Sequence, residues 1–564
     1  MNGQPHGTII SHGPLNLSFS PSTVMSSGSN YAEQQLQLAT ISRSSGSPHY
    51  QARAVAARIR SSSNTITITD PNDPTKPAFN VLHRKDGPEF EDGESQRSPH
   101  SESRGQEWAA LDMGGLGIRN LGCELFAYGF LEKLYLNHNG LTSISSSIAQ
   151  LKLLSVLDIS SNNLTSIPAE IGMLTKLRNL LLFDNQITNL PAELGTLHQL
   201  DILGIEGNPL AEPFKGTIMK DGPRALIAHL RDSCPVPLPP PERDWIVINR
   251  AESDSDDTFS VLSYNILCER AATPQMYGYT PSWALSWAYR KQLVLQELLL
   301  YDADVICLQE VDVENFEEYF SPQLAYHAYK GIFWPKSRAK TMNETERRTV
   351  DGCATFYKTA SFVLVDKAII EFSQSALRRD DFKKTQDIFN RVMNKDHIAV
   401  VCRLKSKKSG SSLLVANAHI HWDTAFKDVK LVQVALLMEE LTIMTKSMEP
   451  DTSVIVCGDY NSVQSSGVYD LLSNGEVAFD HPDLAGRVYG KFSEQGMSHN
   501  FNLRSAYAHI NELQFTNFVP HFCGVLDYIW HSDKLLDVKA VLGDIDKNYL
   551  EHVVGFPNAH FPSE

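Results

Sequence analysis

SVIVCGDYNS, residues 453–462, opens on five residues, mostly Val, Ile and Cys, that read as a short strand buried on both faces. Where the strand ends, Gly458 lets the backbone turn tightly, and Asp459 and Asn461 follow two residues apart. Two oxygen-bearing side chains at one strand end are what a hard cation such as Mg²⁺ requires. Taken alone, the segment reads equally well as a strand followed by an Asx turn. The stretches around it decide between the two.

Strand and helix patterns alternate over residues 258–564, which argues an α/β domain. FSVLSYNIL (259–267), DVICLQEV (304–311), CATFYK (353–358), HIAVVCRL (397–404), SLLVANAHIHW (412–422) and GVLDYIWHS (524–532) read as strands. YRKQLVLQELLLY (289–301) and VKLVQVALLMEELTIM (429–444) read as helices. Polar residues stand where the apolar runs stop: Asn265, Glu310, His419, Asp459, Asn461 and Asp527. One polar strand end is unremarkable. Six, all of types that bind Mg²⁺ or handle phosphate, fit a shared rim of the kind where α/β folds bind ligands. The favoured reading is a metal-assisted phosphodiester site rather than a set of turn residues. His421 is expected to face away from His419 and to be structural. RLKSKKSG (403–410) reads as a solvated hairpin tip, and PKSRAK (335–340) as the better candidate for touching phosphates.

Upstream, residues 106–232 carry a strict repeat. Leu131-x-x-Leu134-x-Leu136-x-x-Asn139 recurs as sets ending in Asn162, Asn185 and Asn208, each 23 residues on. That is a leucine-rich-repeat length, in which the leucines stack into a core and each Asn bonds neighbouring turns. Residues 108–126 are expected to cap the array at its start, and Gly222–Leu230 to cap it as a helix. Such an array predicts a protein partner rather than a reaction; a purely structural spacer is the alternative. Residues 233–257 read as a Pro-rich linker (CPVPLPPPERDW).

Residues 1–105 are rich in Ser, Gly, Pro, Asn and Gln and are expected to be disordered, with a weak helical patch over 31–60. The net charge of −16 speaks against nonspecific coating of nucleic acid but not against RNA in a local basic groove with metal ions. Eight cysteines scattered singly, with no CxxC pair, predict a reduced intracellular protein without structural zinc. No apolar run approaches the ~20 residues that span a bilayer, so a soluble protein with no membrane partner is expected.

LSYNIL, LQEV, ANAHIHWD, GDYNS and GVLDYI, in this order, resemble the endonuclease/exonuclease/phosphatase superfamily. YGYTPSWALSWAYRKQ, FWPKSRAKTMNETERRTVDGCATFYK and FNRVMNKDHIAVV, with repeats in front, narrow the resemblance. They are similar to the poly(A)-specific deadenylases, the nuclease subunits with leucine-rich repeats of carbon catabolite repression/Not complexes. The resemblance covers residues 108–564. It implies a two-sheet α/β sandwich nuclease behind the solenoid and a Mg²⁺-dependent 3′-to-5′ exoribonuclease that releases AMP from mRNA poly(A) tails. By motif, Glu310 and Asp459 are the metal-binding carboxylates, with Asn265 close by. Asn461 and His419 contact the scissile phosphate or terminal nucleotide. Glu346 and Asn517 match substrate-contacting positions, Phe522 an aromatic that packs on adenine, and Asp527 a residue that orients a catalytic His; a core position is the alternative for Phe522. The expected partners are poly(A) RNA, a second deadenylase subunit docked on the repeats and, through it, a large scaffold. Residence in cytoplasm and nucleus follows from the same resemblance.

The sequence departs from the pattern in two places. Thr424 stands where the family has Pro after HWD. The family's domain ends in Ser-Asp-His and one more buried strand; here Ser563 matches, Glu564 holds the Asp position, and the His and strand are absent. Loss of that His is expected to reduce turnover, and loss of the strand to leave a sheet edge unpaired. With every upstream catalytic residue present, a shortened enzyme is expected over the alternative, a non-catalytic scaffold or pseudonuclease. A small-molecule phosphodiesterase is disfavoured by the blocks around Trp283 and Arg338.

Overall fold

The computed structural model describes residues 36–40, 67–70, 73–80, 109–249, 257–382, 385 and 388–564. They divide into two compact units between Pro235 and Val236.

In the first unit five three-residue strands, Ala110–Asp112, Lys133–Tyr135, Val156–Asp158, Asn179–Leu181 and Ile202–Gly204, form one parallel sheet. Every repeat leucine is buried in a single core. The asparagines form the expected ladder. Asn162 donates through Nδ2 to Leu136 O and Ile159 O, both at 3.0 Å, and its Oδ1 accepts from Leu141 N at 3.0 Å. The start cap contributes its own strand, Ala110–Asp112, to the sheet. The end cap is longer than its apolar pattern indicated: it starts at Phe214 and is broken at Gly222, whose φ of 83° ahead of Pro223 interrupts the helix.

Residues 36–40 are helical, inside the helical patch expected there. The expectation of disorder across 1–105 is corrected at one place, where Thr67–Asp70 pairs antiparallel with Asp73–Asn80. The alternating TITITD carries β propensity that the polar surroundings concealed. The rest of that expectation lies outside the described residues.

The second unit is built on two facing sheets. The first runs β3 (Tyr329–Pro335), β4 (Asp351–Lys358), β2 (Val305–Asp312), β1 (Val261–Asn265). The second runs β5 (Phe362–Glu371), β6 (Ile398–Ser406), β7 (Ser412–His419), β8 (Ser453–Asp459), β10 (Asp527–Ser532), β9 (Leu503–Ser505). β1 is a sheet edge, paired on one side only, with β2. Between the sheets Val305, Cys307, Val400, Cys402, Val415, Ile455 and Cys457 make one core. Helix α1 (Trp287–Tyr301) covers the outer face of the first sheet through Val294 and Leu298, and α2 (Lys427–Thr445) covers the second. Both faces of each central strand are therefore buried, which is why those strands read as unbroken apolar runs. All eight cysteines are free thiols.

A polar tie crosses the sandwich interior. Gln309 on β2 donates from Nε2 to Asn417 Oδ1 on β7 at 2.8 Å, and Asn417 Nδ2 reaches Leu308 O at 3.1 Å and Ala354 O at 3.0 Å. Both side chains are fully buried.

The segment read as linker to residue 257 is corrected in its second half. Trp245–Val247 pairs antiparallel with Ala540–Leu542, so the second unit begins before residue 258. Its alternation is too short to announce a strand without the partner.

Candidate active site

Five strand ends build the centre. β1 and β2 run parallel with Asn265 opposite Gln309; β7 and β8 run parallel with His419 opposite Asp459; β10 returns antiparallel with Asp527 opposite Asp459. At Glu310 the pairing of β2 with β4 slips by one residue and φ is 59°, a bulge that redirects the side chain. Gly458 has a φ of 142°, and a Cβ there would lie 1.8 Å from Ala418 O, so only glycine lets β8 approach β7 this closely.

The six strand-end residues come together. Asn265 Nδ2 bridges Glu310 Oε1 at 3.2 Å and Asp459 Oδ2 at 2.9 Å. Glu310 Oε2 accepts from Cys268 N at 3.0 Å, and Asp459 Oδ1 from Asn461 N at 2.8 Å. His419 Nε2 lies 3.8 Å from Asp459 Oδ2. Asn461, with a φ of 45°, donates from Nδ2 to Ile420 O at 3.3 Å. Asp527 Oδ2 accepts from Thr516 Oγ1 at 2.6 Å, while its Oδ1 is buried without a partner among the described residues.

The matched substrate positions are more scattered. Asn517 belongs to the hairpin Asn517–Val519/Phe522–Gly524 leading into β10, and it hydrogen-bonds Glu564. Phe522 is half-buried on that hairpin, not a core residue, with its ring against Gly524. Glu346 is exposed on the short helix Glu344–Arg348, capped by Asn343, and is not in hydrogen-bond contact with the carboxylates.

Two readings are corrected. His421 does not face away from His419: both rings meet His397, at 5.2 and 5.8 Å between centroids, because residues two apart on an extended chain share a side. The cations of PKSRAK are engaged within the protein. Lys336 and Arg338 each lie 2.6 Å from Asp351, Arg338 also meets Asp396 at 2.5 Å, and Lys340 pairs with Glu371.

Sequence reasoning missed Asp351, His397, Lys430 and Tyr277 as members of this neighbourhood; Glu564, which stands in the Asp position of the terminal motif, joins them. Tyr277 donates its hydroxyl to Glu564, and Ser563 Oγ donates to Asn265 O at 2.6 Å. A cleft of about 920 Å³ beside β1 and β10 is lined in part by Asn265, Asp527 and Glu564.

The electrostatics follow from crowding acids in a dry place. Burial first, then the Glu310 charge, push Asp459 up to about 6, against the hydrogen bonds from Asn265 and Asn461. Burial and the charges of Glu310 and Asp459 bring Glu564 up to about 7, and burial with Asp459, Glu564 and Glu310 raises Asp527 well above the carboxylate range. Asp351 behaves oppositely: although burial raises it, Lys336 and Arg338 hold it down to about 2. Burial, and then Lys336, push His419 down to about 3, so its imidazole is neutral near pH 7.

A raised folded-state pKa means that the folded chain holds its proton more tightly than the unfolded chain. Asp459 therefore favours folding at acid pH and loses that contribution as pH rises from about 4 to about 6, worth about 3 kcal/mol in all. In metal-free buffer Asp459→Asn is expected to match the parent near pH 4 and to melt higher at pH 8. Equal melting temperatures at both pH values would contradict a charged Asp459 in this acidic cluster.

Among the described residues, no group of three or more His, Cys, Asp or Glu side chains is arranged as a metal site. The donor set here is two carboxylates with a carboxamide between them, and the amide NH₂ occupies the position a cation takes between two acids. Hard oxygen donors, few in number, fit a divalent cation such as Mg²⁺, which binds through one or two carboxylates and keeps several waters.

A two-sheet sandwich with paired acids and a buried imidazole at its strand-end rim has the groups that hydrolysis of a phosphate ester uses. A family model described as "Endonuclease/Exonuclease/phosphatase family" matches residues 262–549, and one described as "Leucine rich repeat" matches residues 130–187. The "CCR4-Not complex 3'-5'-exoribonuclease subunit Ccr4" of Mycosarcoma maydis is 50% identical over 593 residues, covering 95% of this chain and 88% of that protein. The protein of the same name from Schizosaccharomyces pombe is 45% identical, covering 98% and 92%. A solved structure of ANGEL2, a 2',3'-cyclic phosphatase, is 25% identical with a TM-score of 0.46 and covers 57% of this chain and 95% of that one. The chain belongs to the endonuclease/exonuclease/phosphatase family, in the branch of the Ccr4 exoribonuclease subunits.

Proposed function

We propose that this chain is a Mg²⁺-dependent 3′-to-5′ exoribonuclease that shortens mRNA poly(A) tails, releasing AMP, as a subunit of a multi-subunit mRNA decay complex. The observation that carries the reading is the Glu310–Asn265–Asp459 bridge, set in a chain 45–50% identical to exoribonuclease subunits over nearly its full length.

Glu310 and Asp459 would hold the metal, with Asn265 fixing the gap between them. Mg²⁺ there would supply neutralisation of phosphate charge and activation of water. His419, neutral and fully buried against Asp459, presents a hydrogen-bonding nitrogen to a phosphate oxygen or the terminal nucleotide. Asn461, locked in its turn, offers its amide to the same group. Phe522, half-buried, is assigned to stacking on adenine, an interaction worth about 1–3 kcal/mol, and Asn517 and Glu346 are assigned to the substrate's edges. Asp527, its Oδ1 buried and unpaired, is assigned to orienting a proton-carrying partner. The repeats are the docking surface for a second deadenylase subunit and, through it, a large scaffold. Residence in cytoplasm and nucleus belongs to the same proposal; no helix among the described residues is long and apolar enough to cross a membrane.

The test is digestion of 5′-labelled RNA bearing an A-tail, with Mg²⁺ and with chelator. Stepwise shortening from the 3′ end with release of AMP is expected, and only with metal. RNA left intact while small phosphodiesters are hydrolysed would overturn the reading.

A further inference from the structure

The rim contains acids in excess, and most of the buried cations near it are engaged. Lys336 and Arg338 neutralise Asp351. Arg290 donates to the carbonyls of Leu285, Ile266, Leu267 and Pro562. Lys430 is different. It is the fourth residue of α2, it is 4% exposed, and Nζ donates to a neutral group, Asn461 O, at 2.7 Å. No carboxylate stands within 4 Å of it among the described residues, although Asp459, Asp423 and Asp483 act on it at longer range. A buried ammonium without a paired acid is costly to keep, which argues for a use beyond stability.

That use is visible in the backbone. Asn461 has a φ of 45°, a region in which a residue with a side chain is strained unless its surroundings hold it. Three contacts hold Asn461 itself: Asn461 N to Asp459 Oδ1, Asn461 Nδ2 to Ile420 O, and Lys430 Nζ to Asn461 O; Tyr460 N also donates to Leu526 O at 2.9 Å. The first two bind the turn to the rim itself. Among the described residues, Lys430 supplies the hydrogen bond that ties it to α2, the helix that packs on the sheet.

We propose that Lys430 is a positioning residue of the hydrolytic site, fixing the Asp459–Asn461 turn through Asn461 O so that both side chains face the scissile phosphate. Burial brings its pKa down to about 8, which leaves the ammonium mostly charged near pH 7. The role rests on the exoribonuclease reading of the same site.

Lys430→Met and Lys430→Arg in the full chain test it against A-tailed RNA. A misplaced turn is expected to lower kcat roughly 100-fold in Lys430→Met. KM is expected to stay within about threefold, and the melting temperature within about 3 °C. Lys430→Arg, which keeps a charged donor, is expected to recover most of the rate. A raised KM at unchanged kcat would make Lys430 a phosphate contact instead, and overturn the positioning role. So would a collapse of melting temperature in both variants, which would mark a core residue only. Parent-like kinetics in Lys430→Met overturn the role and leave the exoribonuclease reading standing. A parent chain that leaves RNA intact overturns both.

Discussion

Glu310→Gln is expected to reduce hydrolysis of A-tailed RNA by roughly 10³-fold or more. The substitution keeps the shape of the side chain and an oxygen to accept from Cys268 N, and it removes one of the two charges between which Asn265 sits. If the pair holds Mg²⁺, stabilisation of several kcal/mol in the transition state disappears with it. The same change should not weaken the metal-free protein, because it relieves the repulsion that Glu310 adds, after burial, to the raised pKa of Asp459. Thermal melting separates the two effects. Added Mg²⁺ should raise the melting temperature of the parent, by preferential binding to the folded state, and leave Glu310→Gln unmoved. Parental turnover in Glu310→Gln would remove the carboxylate pair from the mechanism.

Asn417→Leu is expected to destabilise the second unit by about 3 kcal/mol, although Asn417 is not assigned to metal or RNA. The change takes a donor from the carbonyls of Leu308 and Ala354 and from Gln309 its shortest hydrogen bond, all in a dry interior. The midpoint of denaturant unfolding should fall at constant slope. Because Gln309 immediately precedes the Glu310 bulge, activity should fall further than stability alone explains. Replacing both amides, in Gln309→Met with Asn417→Leu, should recover part of the lost stability, since an apolar pair leaves fewer orphaned groups than one half of a polar pair. Strictly additive losses would show that the two amides do not act as a unit.

The repeat unit was the most legible part of the chain. Its register repeats every 23 residues, each strand contacts only its neighbours, and the Asn ladder is a nearly local bond pattern. The apolar runs of β2, β7 and β8 were legible for a similar reason, since strands buried on both faces leave no polar alternation to misread. Strands such as Tyr329–Pro335 and Phe362–Glu371 passed unseen because their residues alternate irregularly between buried and exposed.

The site divides along the same line. That Asn265, Glu310, His419, Asp459, Asn461 and Asp527 end apolar runs is written in the chain, and so is the glycine that lets β8 close on β7. Three things depended on partners far away in sequence. Glu310 reaches the rim because of a bulge, and a strand's two-residue period does not disclose one. Lys336 and Arg338 looked free for phosphate until β4 brought Asp351 against them. His421 was placed on the wrong side by a count of strand faces, where His397 from a neighbouring strand end gathers both rings. Sequence alone fixed which residue types stand at strand ends, because burial and backbone turning are local demands. Only the tertiary structure decided which charges are spent on one another, because the pairing energy of buried ions depends on separation in space and not along the chain.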